Sequence, residues 1–311
     1  MDADETSLAP KAVRPTNAGR RYLLALDGTP AGYLRSLEGG EITGQVVEVR
    51  SGNDPLAHKH LAGIKYEDFI FQADLSLTKD FYSWISNSWA LNYSRKDGTI
   101  VTLDYKDKAL YEDAFYNSLI SEVTFPACDG SSKDQCWLTV RCAPEYTRRH
   151  KSAKGESTKF SKGVQKKWLA SNFRFEMGSL PCNYVSHIEQ FTVKQSVQSD
   201  QIGERRDYQK EPTSVEFPNL VITFPESHAK EWIDWHEDFV IKGNNSQDKE
   251  LSGALVFLAA DRQTELARVS FFNVGIFQVK FLSSSSAEQV AKVQASLYCD
   301  RMEFQYSESL A

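Results

Sequence analysis

Four groups of side chains in this 311-residue chain have types and spacings that could do chemistry. The first is the His58-Lys59-His60 triplet, and the second is the series Cys128, Cys136 and Cys142, with Cys182 and Cys299 further on. A structural zinc site wants four ligands, usually in tight C-x2-C pairs. Here the first three cysteines stand eight and six apart, and an odd count of five reads as reduced thiols buried as small apolar residues. The third group is His228, Glu231, Asp234, His236, Glu237 and Asp238, where Glu231 and Asp234 can share one helix face. General acid–base work needs a shaped pocket as well as an acid pair. The expectation is instead a solvated face opposite Trp232, Trp235 and Phe239. The fourth group is a basic run, Arg148, Arg149, Lys151, Lys154, Lys159, Lys162, Lys166 and Lys167, broken by the single acid Glu156. Eight cations in this run could follow a phosphate backbone. Phe160 and the adjacent Trp168 are its only aromatics, so a solvated linker or a dock for an acidic protein surface is the better reading. No glycine-rich phosphate loop, GxSxG elbow, HExxH or CxxC occurs. The expectation is therefore no enzyme, with no catalytic residue, no cofactor and no metal.

The elements that would carry these groups are mostly strands. Aromatic residues make up 12% of the chain (18 Phe, 13 Tyr, 6 Trp) against 17 Gly and 10 Pro, which suits packed sheets. The net charge is −6 and the charged fraction 25%, which excludes disordered and histone-like classes. No apolar run approaches the roughly 18 residues of a spanning helix, and the acidic start lacks the apolar segment of a secretory signal.

An internal repeat organises the rest. Sliding the chain by 151 residues brings Tyr22–Leu26 onto Phe173–Met177, Pro30 onto Pro181, Tyr33 onto Tyr184, Ile42 and Val46 onto Val193 and Val197, and Phe81 and Trp84 onto Trp232 and Trp235. Gly98 then meets Gly253, Phe115–Ile120 meets Phe271–Ile276, and Cys142 meets Cys299 after small shifts of register. Period-two alternation marks strands at Tyr22/Leu24/Leu26, Ile42/Gly44/Val46, Phe69/Phe71/Ala73/Leu75, Val101/Leu103/Tyr105 and Leu138/Val140/Cys142, with counterparts in the second half. One helix interrupts each half. Thr78 can cap a first helix carrying Phe81, Trp84 and Ile85 on its core face; Ser227 can cap a second carrying Trp232, Trp235 and Phe239. The expected fold is mainly β: two tandem antiparallel β-sandwich or half-barrel domains, each with one flanking α-helix. The boundaries are a flexible tail at 1–20, domain 1 at 21–147, a basic linker at 148–171 and domain 2 at 172–307.

The order of the first half carries a resemblance. The segments GYLRSLEGGEI, VRSGNDP, LAGIKYEDFIF, DFYSWI, DGTIVTLDY and AFYNSLISEVTF over residues 20–147 resemble the contractile phage tail-tube protein family, which includes the inner-tube proteins of extracellular contractile injection systems. The second half resembles the same domain more weakly, through NYVSHIEQFTV, VEFPNLVITF, EWIDW and VSFFNVGIFQVKF. The resemblance implies a structural subunit of a phage tail or injection particle. Six such domains would close a ring, and a long loop (Ser51–Glu67) would reach the next layer. Candidate stacking residues are Gly52, Asn53, Asp54, Pro55, Leu61 and Gly63. In the second half the loop Ser199–Glu216, with Arg205 and Arg206, has lost the Gly-Asn-Asp-Pro and Leu-Ala-Gly elements. Helices Lys79–Asn87 and Ser227–Phe239 would cover the outside of the ring.

Usual tube subunits hold one domain and this chain holds two, which implies trimeric or hexameric rings and a specialised position near a baseplate or cap. Implied partners are further copies, other tube, sheath, baseplate or cap proteins, and cargo or DNA in the lumen, with no membrane insertion. Assembly would be cytoplasmic, and the product a mature phage tail or injection particle. The alternative is a monomeric two-domain β protein binding a glycan, nucleic acid or protein partner through its aromatics and basic run.

Overall fold

The computed structural model describes residues 20–50, 52, 56–104, 106–151, 168–200, 208–282 and 290–307. The chain is mainly antiparallel β with two α-helices among these residues. The first half runs β1 (Arg21–Leu26), β2 (Thr29–Leu34), β3 (Ser36–Gly39), β4 (Ile42–Val49), β5 (His58–Tyr66), β6 (Phe69–Ala73) and α1 (Lys79–Trp89). It continues with β7 (Lys96–Leu103), β8 (Ala109–Phe125), β9 (Cys128–Asp129), β10 (Leu138–Ala143) and β11 (Tyr146–Lys151). The second half is β12 (Phe173–Met177), β13 (His187–Ile188), β14 (Phe191–Asp200), β15 (Gln209–Glu216), β16 (Leu220–Pro225) and α2 (Lys230–His236). After α2 come a π-helical turn at Glu237–Ile241, β17 (Leu251–Leu258), β18 (Glu265–Leu282) and β19 (Lys292–Tyr306).

The duplication is visible in register as well as in order. The eight-residue strands β7 and β17 pair identically: Lys96 opposite Ser118 and Gly98 opposite Phe115, Leu251 opposite Val274 and Gly253 opposite Phe271. Both irregularities surround an asparagine in the left-handed region, Asn117 (φ 49°) and Asn273 (φ 52°). Asparagine tolerates that conformation because its short amide can bond locally. Asn117 Nδ2 donates to Glu145 at 2.8 Å. At Gly98 a Cβ would lie 2.1 Å from the Phe115 ring, so glycine alone admits the crossing.

The asparagine pivot lets β8 serve two sheets. Its N-terminal part lies between β7 and β11, and its C-terminal part between β10 and β14. β14 belongs to the second half, and β9 of the first half pairs reciprocally with β13 of the second. One hydrophobic cluster consequently spans the chain from Leu24 to Phe304.

Several expectations need correction. Most of the expected long loop Ser51–Glu67 is the strand β5, and the second part of Ser199–Glu216 is the strand β15. Strands β5 and β15 are mostly exposed along their length, so no alternation of buried and exposed residues marks them. The 17- and 18-residue strands β8 and β18 went unread because their buried face switches at the asparagines. The expected linker at 148–171 is built into the fold at both ends. Arg148, Arg149 and Lys151 lie in β11, and Trp168 is fully buried with its carbonyl accepting from the Cys136 amide at 2.8 Å. Lys154, Lys159, Lys162, Lys166 and Lys167 lie outside the described residues, as do residues 1–19 of the expected tail.

The helices are shifted too. Thr78 occupies the cap position of α1, but its hydroxyl makes no capping bond. Ser227 lies in a 3₁₀ turn and the cap of α2 is Ala229. Cys142 pairs with Ile120 while Leu297 pairs with Ile276, so the structural counterpart of Cys142 is Leu297 and not Cys299.

Phe81, Trp84, Ile85, Trp232 and Phe239 are buried as the helix faces require, whereas Trp235 is half-buried. Trp84→Ala and Trp232→Ala are each expected to cost about 3–5 kcal/mol, and Trp235→Ala clearly less. Urea denaturation followed by fluorescence checks this ranking; equal midpoints for all three variants would reject it.

Candidate assembly interface

The described surface concentrates its unusual features on two hairpins and one strand end. Hairpin β4–β5 pairs with no other strand among the described residues. It displays Ile42 (51% exposed), Val46 (58%), Val49 and Leu61 (75%), and Val46 sits directly opposite Leu61. Exposed apolar side chains on an open strand edge are a template for pairing with another chain. The hairpin leaves the body beside a groove of about 770 Å³ lined by Glu38, Glu41, Tyr66, Glu145, Tyr208 and Lys210.

The equivalent hairpin, β14–β15, is occupied. Its first strand adds to β8, with Phe191 opposite Phe125, Thr192 opposite Thr124, Val193 opposite Val123 and Lys194 opposite Glu122. On the core side the Phe125 and Phe191 rings stack at 5.1 Å, and both valines are fully covered. On the other side the Thr124 and Thr192 hydroxyls bond at 2.8 Å. Arg95 flanks the contact, donating to the Lys210 carbonyl at 2.9 Å and the Glu211 carboxylate at 2.7 Å.

The expected stacking residues divide. Leu61 and Gly63 are in β5 and Gly52 is in the turn before it, whereas Asn53, Asp54, Pro55, Arg205 and Arg206 lie outside the described residues. Sequence reasoning missed β4 and β5 as a paired unit, and it missed the end of β18. There Phe277 (43% exposed) and Phe281 (58%) stand on a strand with a neighbour on one side only among the described residues. The aromatic-rich run Phe271–Leu282 was the available signal. Helix α1 does not lie simply on the outside: Tyr82 stacks on Tyr306 at 4.2 Å, and Ser86 donates to the Phe304 carbonyl at 2.7 Å, so β19 covers it.

The chemical candidates disperse. Glu231 and Asp234 are exposed on α2, with Asp234 paired to Lys230, and His228 stacks on Tyr184. Arg149 holds the buried Asp113, and that bond raises the guanidinium pKa further. Arg148 bonds the Tyr66 hydroxyl at 3.0 Å. No group of three or more His, Cys, Asp or Glu side chains among the described residues is placed to hold a metal.

All five cysteines are free thiols. Burial pushes Cys136, Cys182 and Cys299 up to about 11, and Cys128 and Cys142 higher still. A thiol reacts as its thiolate. Iodoacetamide at pH 7.5 is therefore expected to label the native protein slowly, with the half-buried Cys182 first, and to label all five rapidly in urea. Peptide mass spectrometry reads this; fast native labelling of Cys142 would contradict the core described above.

No curated protein matches this chain. Among solved structures, the tube-terminating cap of the anti-feeding prophage matches at 18% identity, covering 49% of this chain and all of that one, with a TM-score of 0.38. A chain of the sheath-tube complex of an extracellular contractile injection system, PVC, in its extended state matches at 19% identity, covering 45% of this chain and 93% of that one, with a TM-score of 0.37. Hcp1 from Flavobacterium johnsoniae matches at 12% identity over 43% of this chain and 96% of that one, with a TM-score of 0.26. The family model described as T4-like virus tail tube protein gp19 matches residues 19–146, the segment that holds β1 to β10 and the exposed β4–β5 hairpin. Over residues 19–146 the chain is similar to the T4-like virus tail tube protein gp19 family.

Proposed function

We propose that the chain is a structural subunit of a ring or tube layer in a phage tail or contractile injection particle, with both halves acting as tail-tube domains. The observation that carries this reading is the open β4–β5 hairpin, which belongs to the family-matched half and displays Ile42, Val46, Val49 and Leu61 to solvent. The partners on this reading are further copies in trimeric or hexameric rings, then other tube, sheath, baseplate or cap proteins. Cargo or DNA would pass through the lumen. The duplication favours a specialised ring near a baseplate or cap over the repeating tube. Assembly takes place in the cytoplasm, and the mature particle is the final location.

Light scattering coupled to size exclusion, with negative-stain imaging, is expected to find rings or stacked rings of the 35.2 kDa chain. The double substitution Val46→Asp with Leu61→Asp alters only exposed side chains. It is expected to leave the circular dichroism and melting transition unchanged while abolishing assembly. A wild-type chain that stays monomeric at high concentration, or a variant that assembles normally, would reject the reading.

A further inference from the structure

The internal junction is a template for an external one. Within the chain, strand β14 of the second half covers the edge of β8 in the first. The repeat assigns a counterpart to every residue involved. β4 corresponds to β14, and the end of β18 corresponds to the end of β8. A bulge anchors the second match: Ser121 is skipped between Ile120 and Glu122 against β10, and Phe277 is skipped between Ile276 and Gln278 against β19. Glu122, Val123, Thr124 and Phe125 thus map onto Gln278, Val279, Lys280 and Phe281. Thr192, Val193 and Lys194 map onto Glu41, Ile42 and Thr43. Both counterparts lack that covering strand among the described residues, and they occupy opposite halves of the chain.

We infer that β4 of one copy adds antiparallel to the free edge of β18 in a second copy, with Ile42 opposite Val279, Glu41 opposite Lys280 and Thr43 opposite Gln278. This rests on the ring reading above and specifies its contact. On the apolar face Ile42 meets Val279 as Val193 meets Val123, and Phe281 takes the place of Phe125. Val240, the counterpart of Trp89 in the repeat, is 44% exposed, whereas Trp89 is buried against Phe125 and Phe217. On the polar face the Glu41–Lys280 ion pair replaces the Thr124–Thr192 hydroxyl pair.

The flanking charges support this pairing and set its order. At the internal junction the body supplies Arg95 and the hairpin supplies Glu211. The counterpart of Arg95 is Glu250, whose Oε1 accepts from Tyr298 at 2.7 Å and whose Oε2 is buried without a hydrogen-bond partner. The counterparts of Lys210 and Glu211 are Lys59 and His60, and that of Glu145 is Asp300. Glu250 and Asp300 of the body therefore face Lys59 and His60 of the hairpin, where Lys59 also pairs with Glu48 at 3.1 Å, and the sign reverses at the position of the Arg95–Glu211 pair. Opposite charges across an interface fix its register and disfavour the wrong partner. Hairpin β4–β5 on β8 would set Lys59 and His60 against Arg95, so the contact runs head to tail between unlike surfaces.

Disulfide trapping tests the register. Directly opposed antiparallel residues have Cα atoms about 4.5–5.5 Å apart, inside the range that a disulfide spans. Ile42→Cys and Val279→Cys are made as separate chains, mixed, and oxidised under non-denaturing conditions. The expected result is reducible heterodimers in the mixture, none from either variant alone, and a ladder when one chain carries both cysteines. Its last rung counts the chains in a closed ring. Pairing Ile42→Cys with Lys280→Cys, one residue out of register and on the opposite face, is expected to give only background. As a second measurement, Lys280→Glu should block trapping of the Ile42–Val279 pair, and adding Glu41→Lys should restore it. Oligomers by light scattering without the matched disulfide would overturn this contact and leave the ring reading standing. Monomers without any disulfide would overturn both.

Discussion

Everything in this structure depends on one strand accepting a neighbour from the other half of the chain. Phe125, at the end of β8, lies 5.1 Å from Phe191, 5.5 Å from Phe257, 5.6 Å from Phe304 and 5.9 Å from Trp89, ring centre to ring centre. Three of those rings belong to the second repeat. Each aromatic buries a large apolar area in stacked, tilted or T-shaped contact, and the four backbone pairs of β14 on β8 close an edge that would otherwise stay open. For Phe125 to reach that position, β8 has to continue past the first sheet and change the face it presents. The left-handed Asn117 makes the change, and Asn273 repeats it in β18.

Much of this was legible in the sequence, and the failures have common causes. The repeat, the mainly β composition and the Asp27-Gly28 hairpin were readable, and both of those residues have positive φ in the structure. Strands over a core alternate, as Phe69/Phe71/Ala73 do, and so they announce themselves. Strands β4 and β5 have no core of their own, so His58-Lys59-His60 looked like a loop or a metal ligand set when it is one edge of a ladder opposite Val47, Glu48 and Val49. Trp168 was counted with the basic run because its sequence neighbours are lysines; only the three-dimensional fold brings it 4.8 Å from Phe257.

The proposed contact surface was harder to read than the family resemblance. Short motifs in order sufficed for the resemblance, because spacing along the chain survives in sequence. The surface proposed for assembly is made of side chains that look misplaced: an isoleucine, two valines and a leucine on an exposed hairpin, and two phenylalanines at a strand end. Singly, exposed apolar residues are ordinary. Their meaning comes from comparing them with their repeat counterparts, which are covered, and that comparison requires knowing which strand lies on which.

The two repeats have also diverged where their surroundings differ. Residues 180–185, the counterpart of β2, hold a 3₁₀ turn at Cys182–Tyr184 and no strand. Carrying two repeats on one chain has a kinetic meaning as well. A contact between separate chains forms at a rate that falls with dilution, whereas β14 meets β8 at an effective concentration set by the connecting peptide. That contact forms at any protein concentration and pays no entropy for bringing two bodies together. On the ring reading, fusion moves one junction of every pair from the association equilibrium into the folding equilibrium, where scarcity of subunits has no purchase on it.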